Sequence, residues 1–493
     1  MFRKILKLTH KILGLLLSIL FLMWFLSGIV MIYHSFPRAS QQDKLERQQV
    51  IDGNLPDMET LLSVLPDSAQ VRSLSMEMYF DRPVVHFRGK NTPETLYADS
   101  LQPVEAINDE TIERTAAQWC SSPILRVDSM YKLDQWIPFG RLREEFPIYK
   151  YTFAGDGRHE LYISSKTGRV LQFTDKDQRL WAWLGAIPHW VYFTSLRQNQ
   201  VAWINFVKWS SGIGCIMCLA GLILSIQLAW RNRHKKLFSP YRKRWFKWHY
   251  VSGLIFGIFT ITFAFSGMMS LMDIPDWMKK APKEKQDTSR RIPWGGSEGR
   301  FVASAYRLDY RKVLEAVDSV KSIEWATWQK YPYYRLITDS QTINIDATDT
   351  TAIRIFLLTE DMVRKEAVKM YGDSIPYKLD LLTEYDQDYY GRKKDRTQLP
   401  VYRIIVDDEM HTRHYYQPET LMQRRVDDDG RLRRLLYSGL HSLNIKFLTD
   451  RPVLWNIVMY TLLLGGTFLS LTGVVLSIKW IIRKANRFFK QKV

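Results

Sequence analysis

The tightest constraint on this chain is a histidine-headed apolar run that occurs twice, as His10-KILGLLLSILFLMWFLSGIVMIY and as His249-YVSGLIFGIFTITFAFSGMMSLM. In each copy a glycine follows the histidine by 4 residues (Gly14, Gly253), and a Ser-Gly pair follows it by 17 and 18 (Ser27-Gly28, Ser266-Gly267). About 20 apolar residues rising ~1.5 Å each span a hydrocarbon layer of ~30 Å. Each run is therefore long enough to cross a bilayer, with its histidine at one membrane face and its Ser-Gly pair near the other.

Four apolar segments recur along the 493 residues, roughly 11–33, 203–229, 250–272 and 454–481, while the rest is polar. The expected fold is a core of four transmembrane helices carrying two α+β domains. In chain order these are a first transmembrane helix (1–33), an outer domain with a membrane-surface helix (34–202), a second helix (203–230) and a basic loop (231–248). A third helix (249–272), a second outer domain with its surface helix (273–453), a fourth helix (454–481) and a tail (482–493) complete the chain.

Charge orients this arrangement. The net +18 is fully supplied by three stretches without an acid: four basic residues up to Lys11, eight from Arg231 to Lys247, and six from Lys479 onward. Elsewhere Lys and Arg balance Asp and Glu, so no basic face remains for nucleic acid. By the positive-inside rule both termini and the central loop lie in the cytoplasm of a multi-pass inner-membrane protein. The first run is longer than a signal-peptide core and has a near-copy deep in the chain, so it reads as a retained helix. Cys215 and Cys218 spell CxxC, but they sit among Gly212, Gly214 and Gly221 in the second helix, the composition of a packing face.

A second repeat ties the other two helices together. His189 and His441 are each followed by tryptophan at 14 (Trp203, Trp455) and glycine at 32 (Gly221, Gly473), giving an offset of 252. The first and third helices map with an offset of 239. The pattern is that of a tandem duplication, 1–235 and 236–493. Between the helices, runs such as VVHFRG (84–89), IYKYTFAG (148–155), TINIDA (342–347) and VYRIIVD (401–407) read as strands. Residues 56–65, 108–120, 310–320 and 359–371 read as helices.

The helix head LTHKILGLLLS with Ser27-Gly28, the strand-turn SSKTGRVL and the segment GRLRRLLYSGLHSLNIKFL resemble the PepSY-associated transmembrane family of bacterial inner-membrane proteins. Some members of that family are ferric-siderophore reductases. The resemblance covers essentially the whole chain and implies PepSY-like outer domains and haem held by core histidines, here His10, His189, His249 and His441. The chain departs from the family form at 186–193, where AIPHWVYF sets Pro188 beside His189.

Depth leads to the same four residues independently. His10 and His249 lie at the inner ends of helices one and three; His189 and His441 lie just outside helices two and four. A protohaem iron takes two axial imidazoles from facing helices. His10 with His249 and His189 with His441 are the expected pairs, giving two b-type haems. A His10–His189 pair would have to bridge ~36 Å along the helix axis. Gly14 and Gly253 leave room for a flat macrocycle, Ser27 and Ser266 read as helix packing ahead of the alternative of a hydrogen bond to a haem edge or backbone, and His34 stands as a substitute outer ligand.

No GxGxxG after a strand, P-loop or HExxH occurs, and the inner loop is too short for a flavin domain. The electron donor is therefore separate, a quinol or a cytoplasmic flavin reductase, and the acceptor is a ferric chelate outside; no catalytic residue is assigned. The alternative is a non-enzymatic membrane anchor whose outer domains bind a peptide, protease or envelope partner. Colour separates the two, because the anchor would be colourless.

Overall fold

The computed structural model describes residues 1–66, 70–92, 95–234, 239–280, 301–372, 375–391 and 397–490. Among the described residues four helices are long and apolar enough to cross a membrane: Phe2–Met31, Gln200–Arg231, Arg244–Met269 and Pro452–Lys490. They are called helices one to four below. Helix one starts nine residues before the hydropathic segment, because Arg3 to Lys11 contains no helix breaker and Lys and Arg are good helix formers. His10 and His249 thus sit within helices rather than ahead of them. Helix two starts at a defined cap, where the Asn199 side chain accepts from the Ala202 N–H at 3.0 Å.

The chain divides into two compact units. One comprises residues 1–38, 109–279 and 430–493, the other 39–108 and 280–429. In the first unit, helix one packs against helices two and four, and helix three against the same two, so one and three face each other across the bundle. Phe21, Phe25, Met217, Phe263, Trp455, Met459 and Leu463 fill its centre. Close packing there depends on glycine. A methyl on Gly466 would overlap the Phe25 ring, one on Gly465 the Phe256 ring, and one on Gly214 would stand 2.5 Å from Phe21.

The first unit also carries a four-stranded antiparallel sheet, β4 (Ile124–Met130), β5 (Ile148–Phe153), β6 (Glu160–Ser164) and β7 (Val170–Thr174), in that order. The helix Asp109–Trp119 turns Ile112, Ala116 and Trp119 inward, with Trp119 edge-on to Phe173. After β7 an Asp175–Gln178 capping box starts the short helix Lys176–Leu184. That helix exposes Leu180, Trp183 and Leu184.

The second unit holds two sheets. One runs β11 (Tyr377–Leu382), β12 (Val401–Val406), β13 (Arg413–Tyr416), β14 (Gln423–Val426), preceded by the helix Glu360–Tyr371 capped by Thr359. The other has six strands, in the order β10-β9-β8-β1-β2-β3. Here β1 (Gln70–Tyr79), β2 (Arg82–Lys90) and β3 (Thr95–Tyr97) come from the first insertion. From the second come β8 (Val320–Trp328), β9 (Tyr331–Thr338) and β10 (Thr342–Asp346). The join is β1 on β8, with Leu74 opposite Trp325. The two insertions therefore share a sheet, where chain order assigns each its own domain. Pairing the two edges satisfies backbone groups that separate three-stranded sheets would leave open. Leu61, Leu74, Met76, Val85, Ile323 and Leu336 form its fully buried centre.

His414, on β13, is 4% exposed and lies 2.5 Å from the Tyr371 hydroxyl. Burial, aided by the Arg425 charge, pushes its pKa down to about 4. The unfolded chain, titrating near 6.5, binds the proton more readily than the folded one. Stability from this group is full above pH ~6.5 and is lost as pH falls toward 4, by up to roughly 3 kcal/mol. Unfolding midpoints at pH 7 and 4.5, followed by tryptophan fluorescence, are expected to fall on acidification in the wild type and to fall less in His414→Gln.

Candidate functional site

All four predicted histidines lie in the first unit, and the structure brings them together in two facing pairs. The His10 and His249 ring centroids are 6.0 Å apart with planes inclined by 37°; those of His189 and His441 are also 6.0 Å apart, inclined by 55°. Neither pair is stacked.

Every ring is held through Nδ1. His10 Nδ1 lies 2.9 Å from the Met217 carbonyl, and His249 Nδ1 lies 2.9 Å from the Thr472 hydroxyl, whose own proton goes to the Leu469 carbonyl at 2.7 Å. His189 Nδ1 meets the Trp24 carbonyl at 3.1 Å and Ser27 Oγ at 3.3 Å. His441 Nδ1 meets Ser266 Oγ at 3.1 Å. Ser27 and Ser266 donate to the Met23 and Thr262 carbonyls, both at 2.6 Å, so toward histidine these hydroxyls accept. A carbonyl or a hydroxyl whose proton is spent accepts only, which assigns Nδ1–H to all four rings and leaves each Nε2 with its lone pair.

A glycine backs each ring. Methyls placed on Gly28, Gly267 and Gly473 would stand 3.4, 3.6 and 3.5 Å from Cε1 of His189, His441 and His249. One placed on Gly221 would overlap the His10 ring. Beside the first pair lies a cavity of 410 Å³, of the size that takes small cofactors (~300–1,000 Å³). Gly14 and Gly253 line it, and Lys7 and Lys11 stand among its polar lining groups. Ser18, 6% exposed, also lines it, and its hydroxyl has no partner among the described residues.

The turns presenting His189 and His441 are alike in detail. Trp203 Nε1 donates to the Trp190 carbonyl at 2.7 Å, and Trp455 Nε1 to the Ser442 carbonyl at 3.0 Å. Two residues past each histidine the backbone turns left-handed, at Val191 (φ 53°) and Leu443 (φ 50°). Pro188 does not disturb this. It sits in the first turn of the helix Ala186–Trp190, where no intrahelical N–H is needed, and His189 N still bonds to Gly185 O at 3.0 Å. At Leu435–Gly439, ahead of His441, the helix widens to a π turn.

His34 joins neither pair through its ring contact: it stacks on Trp181 at 4.2 Å and 3°. The positions related to those two by the offsets 239 and 252 hold Asp273 and Arg433, which form an ion pair of 2.7 Å. The contact recurs with different chemistry. Cys215 and Cys218 are free thiols packed in the bundle. Sequence reasoning missed the acceptors Met217 and Thr472 and the rings resting on Gly28, Gly221, Gly267 and Gly473. The available signals were that Ser-Gly keeps its spacing from histidine in both copies and that Gly221 and Gly473 recur at the same distance after His189 and His441.

Among the described residues no three His, Cys, Asp or Glu side chains converge as a metal site. No curated protein matches the chain. The model of the PepSY-associated TM region matches residues 7–479, nearly the full chain, and the protein belongs to that family.

Proposed function

We propose that this membrane protein binds two b-type haems, one between His10 and His249 and one between His189 and His441, and carries electrons to a ferric chelate on the outer side for iron uptake. The observation that carries the reading is the geometry of the pairs: two facing imidazoles 6.0 Å apart, each anchored at Nδ1 with Nε2 left over. Two imidazoles bonded to one metal ion at about 2 Å each have centroids about 6 Å apart once the rings' own radii are added. Each site offers two protein ligands, which suits a metal whose other four come from a macrocycle. The cavity beside His10 and His249, the unpartnered Ser18 hydroxyl and the cationic Lys7 and Lys11 suit a flat molecule with carboxylate groups.

Bound haem supplies reversible one-electron chemistry. The protein's part is to fix the ligand rings, exclude water from the bundle and hold the two sites at opposite ends of the helices. Each chelated Fe(III) takes one electron and becomes Fe(II), whose grip on hard oxygen ligands is weaker. A quinol or a reduced flavin enzyme gives up two electrons, so one donor serves two ferric ions. The three acid-free basic stretches support cytoplasmic termini and an inner-membrane location.

The test is the reduced-minus-oxidised absorption spectrum of the purified protein with a haem-to-protein ratio. Two haems per chain are expected, with one lost in His189→Ala/His441→Ala. A protein that remains colourless after expression with ample haem, or a double variant with full haem content, overturns the proposal.

A further inference from the structure

We infer that Ser27 and Ser266 are positioning residues for the His189–His441 site, an inference that rests on the haem reading above. Both are buried within helices, at 1% and 0% exposure, where a serine ordinarily spends its hydroxyl on the carbonyl one turn back. Both do so, through Met23 and Thr262. Each oxygen keeps lone pairs, and these face the Nδ1 of a histidine brought in from another part of the chain, 162 residues away for Ser27 and 175 for Ser266. Helix packing alone requires a small residue there, which alanine would satisfy. It does not require an acceptor aimed at imidazole.

The bond does two things. It fixes the rotation of the ring through Nδ1 and leaves Nε2 with its lone pair. It also draws on the Nδ1 proton, which makes Nε2 a stronger donor to a metal, as outer partners of ligating histidines generally do. A stronger donor favours the ferric state and lowers the reduction potential. Thr472 performs the same service for His249, while its counterpart by the offset of 252 is Ala220, so His10 relies on the Met217 carbonyl.

The experiment uses the full-length protein as Ser27→Ala/Ser266→Ala, with Ser27→Thr/Ser266→Thr as the hydroxyl-retaining control. Haem content, redox titration and low-temperature electron paramagnetic resonance of the ferric protein are measured on both. The alanine pair is expected to keep both haems, with the midpoint of one shifted upward and its ferric signal altered, and the threonine pair to return both toward wild type. Should the double alanine variant lose its fold, Ser266→Ala is titrated alone with the same upward shift expected, because the Trp24 carbonyl still accepts from His189 Nδ1 in Ser27→Ala. Unchanged midpoints and signals with haem retained overturn the inference while leaving the haem reading intact. Wild-type protein without haem overturns the reading itself.

Discussion

Gly221→Ala is expected to empty the His10–His249 site, whereas Gly473→Ala leaves it filled, although the two glycines occupy corresponding positions 32 residues after His189 and His441. The reason is local. An added methyl at Gly221 lands on the His10 imidazole, 2.7 Å from Nδ1 and 3.2 Å from Nε2. At Gly473 it meets the edge of His249 at 3.5 Å, an ordinary contact. The His10 ring has nowhere to retreat without giving up its bond to the Met217 carbonyl, one turn away on the same helix as Gly221. Alanine is the better helix former by ~1 kcal/mol, so a loss in Gly221→Ala cannot be put down to a weakened helix. Purified Gly221→Ala should hold about half the wild-type haem and Gly473→Ala all of it. Equal haem content in both would show that His10 is not a ligand held in this place.

The same pair of glycines shows what could be read from the chain. Spacing alone linked His10 to His249 and His189 to His441, because helical rise converts residue number into depth. Depth then excluded a His10–His189 pair. Spacing carried no information on which atom of each ring is engaged, since that depends on helix rotation and on which neighbour lies across the bundle. Ser27 and Ser266 illustrate the gap. Their place in the repeat was plain, yet a serine in a membrane helix is ordinarily satisfied by its own backbone, and only the meeting with His189 and His441 separates them from packing residues.

Strands such as β2, β5 and β12 were legible from β-branched and aromatic alternation, and the Thr359-capped helix from its start signals. The pairing of β1 with β8 was not, because it joins residues some 250 apart, such as Leu74 and Trp325, with no local signal. Helix one began earlier than hydropathy suggests for a related reason. Hydropathy marks what lipid tolerates, while the helix itself runs on until a breaker stops it.

Arg403→Met is expected to cost the second unit about 3 kcal/mol, among the largest single losses outside the helices. Arg403 on β12 is cross-strand from Asp380 on β11 and binds it through two bonds, of 3.0 and 2.7 Å, while its other nitrogen reaches Asp386 at 2.9 Å. Burial works against a charge on Asp386, but the Tyr389 N–H, the Tyr415 hydroxyl, the Asp388 N–H and Arg403 together hold its carboxyl below the usual range. Removing the arginine takes two hydrogen bonds from Asp380 and one from Asp386, and methionine fills the space without replacing the charge. Asp380→Asn should cost less, because Arg403 keeps Asp386. The sign of the pH dependence follows. In the wild type the stability from Asp386 is present above its unfolded pKa of ~3.9 and is lost as pH falls through the lower folded value. In Arg403→Met burial is opposed by fewer partners, so the carboxyl takes up its proton at higher pH and the penalty is relieved there. The gap between variant and wild type, measured by chemical unfolding at pH 7 and pH 4.5, should therefore narrow on acidification. A constant gap would mean that the loss comes from packing of the arginine side chain rather than from its charge.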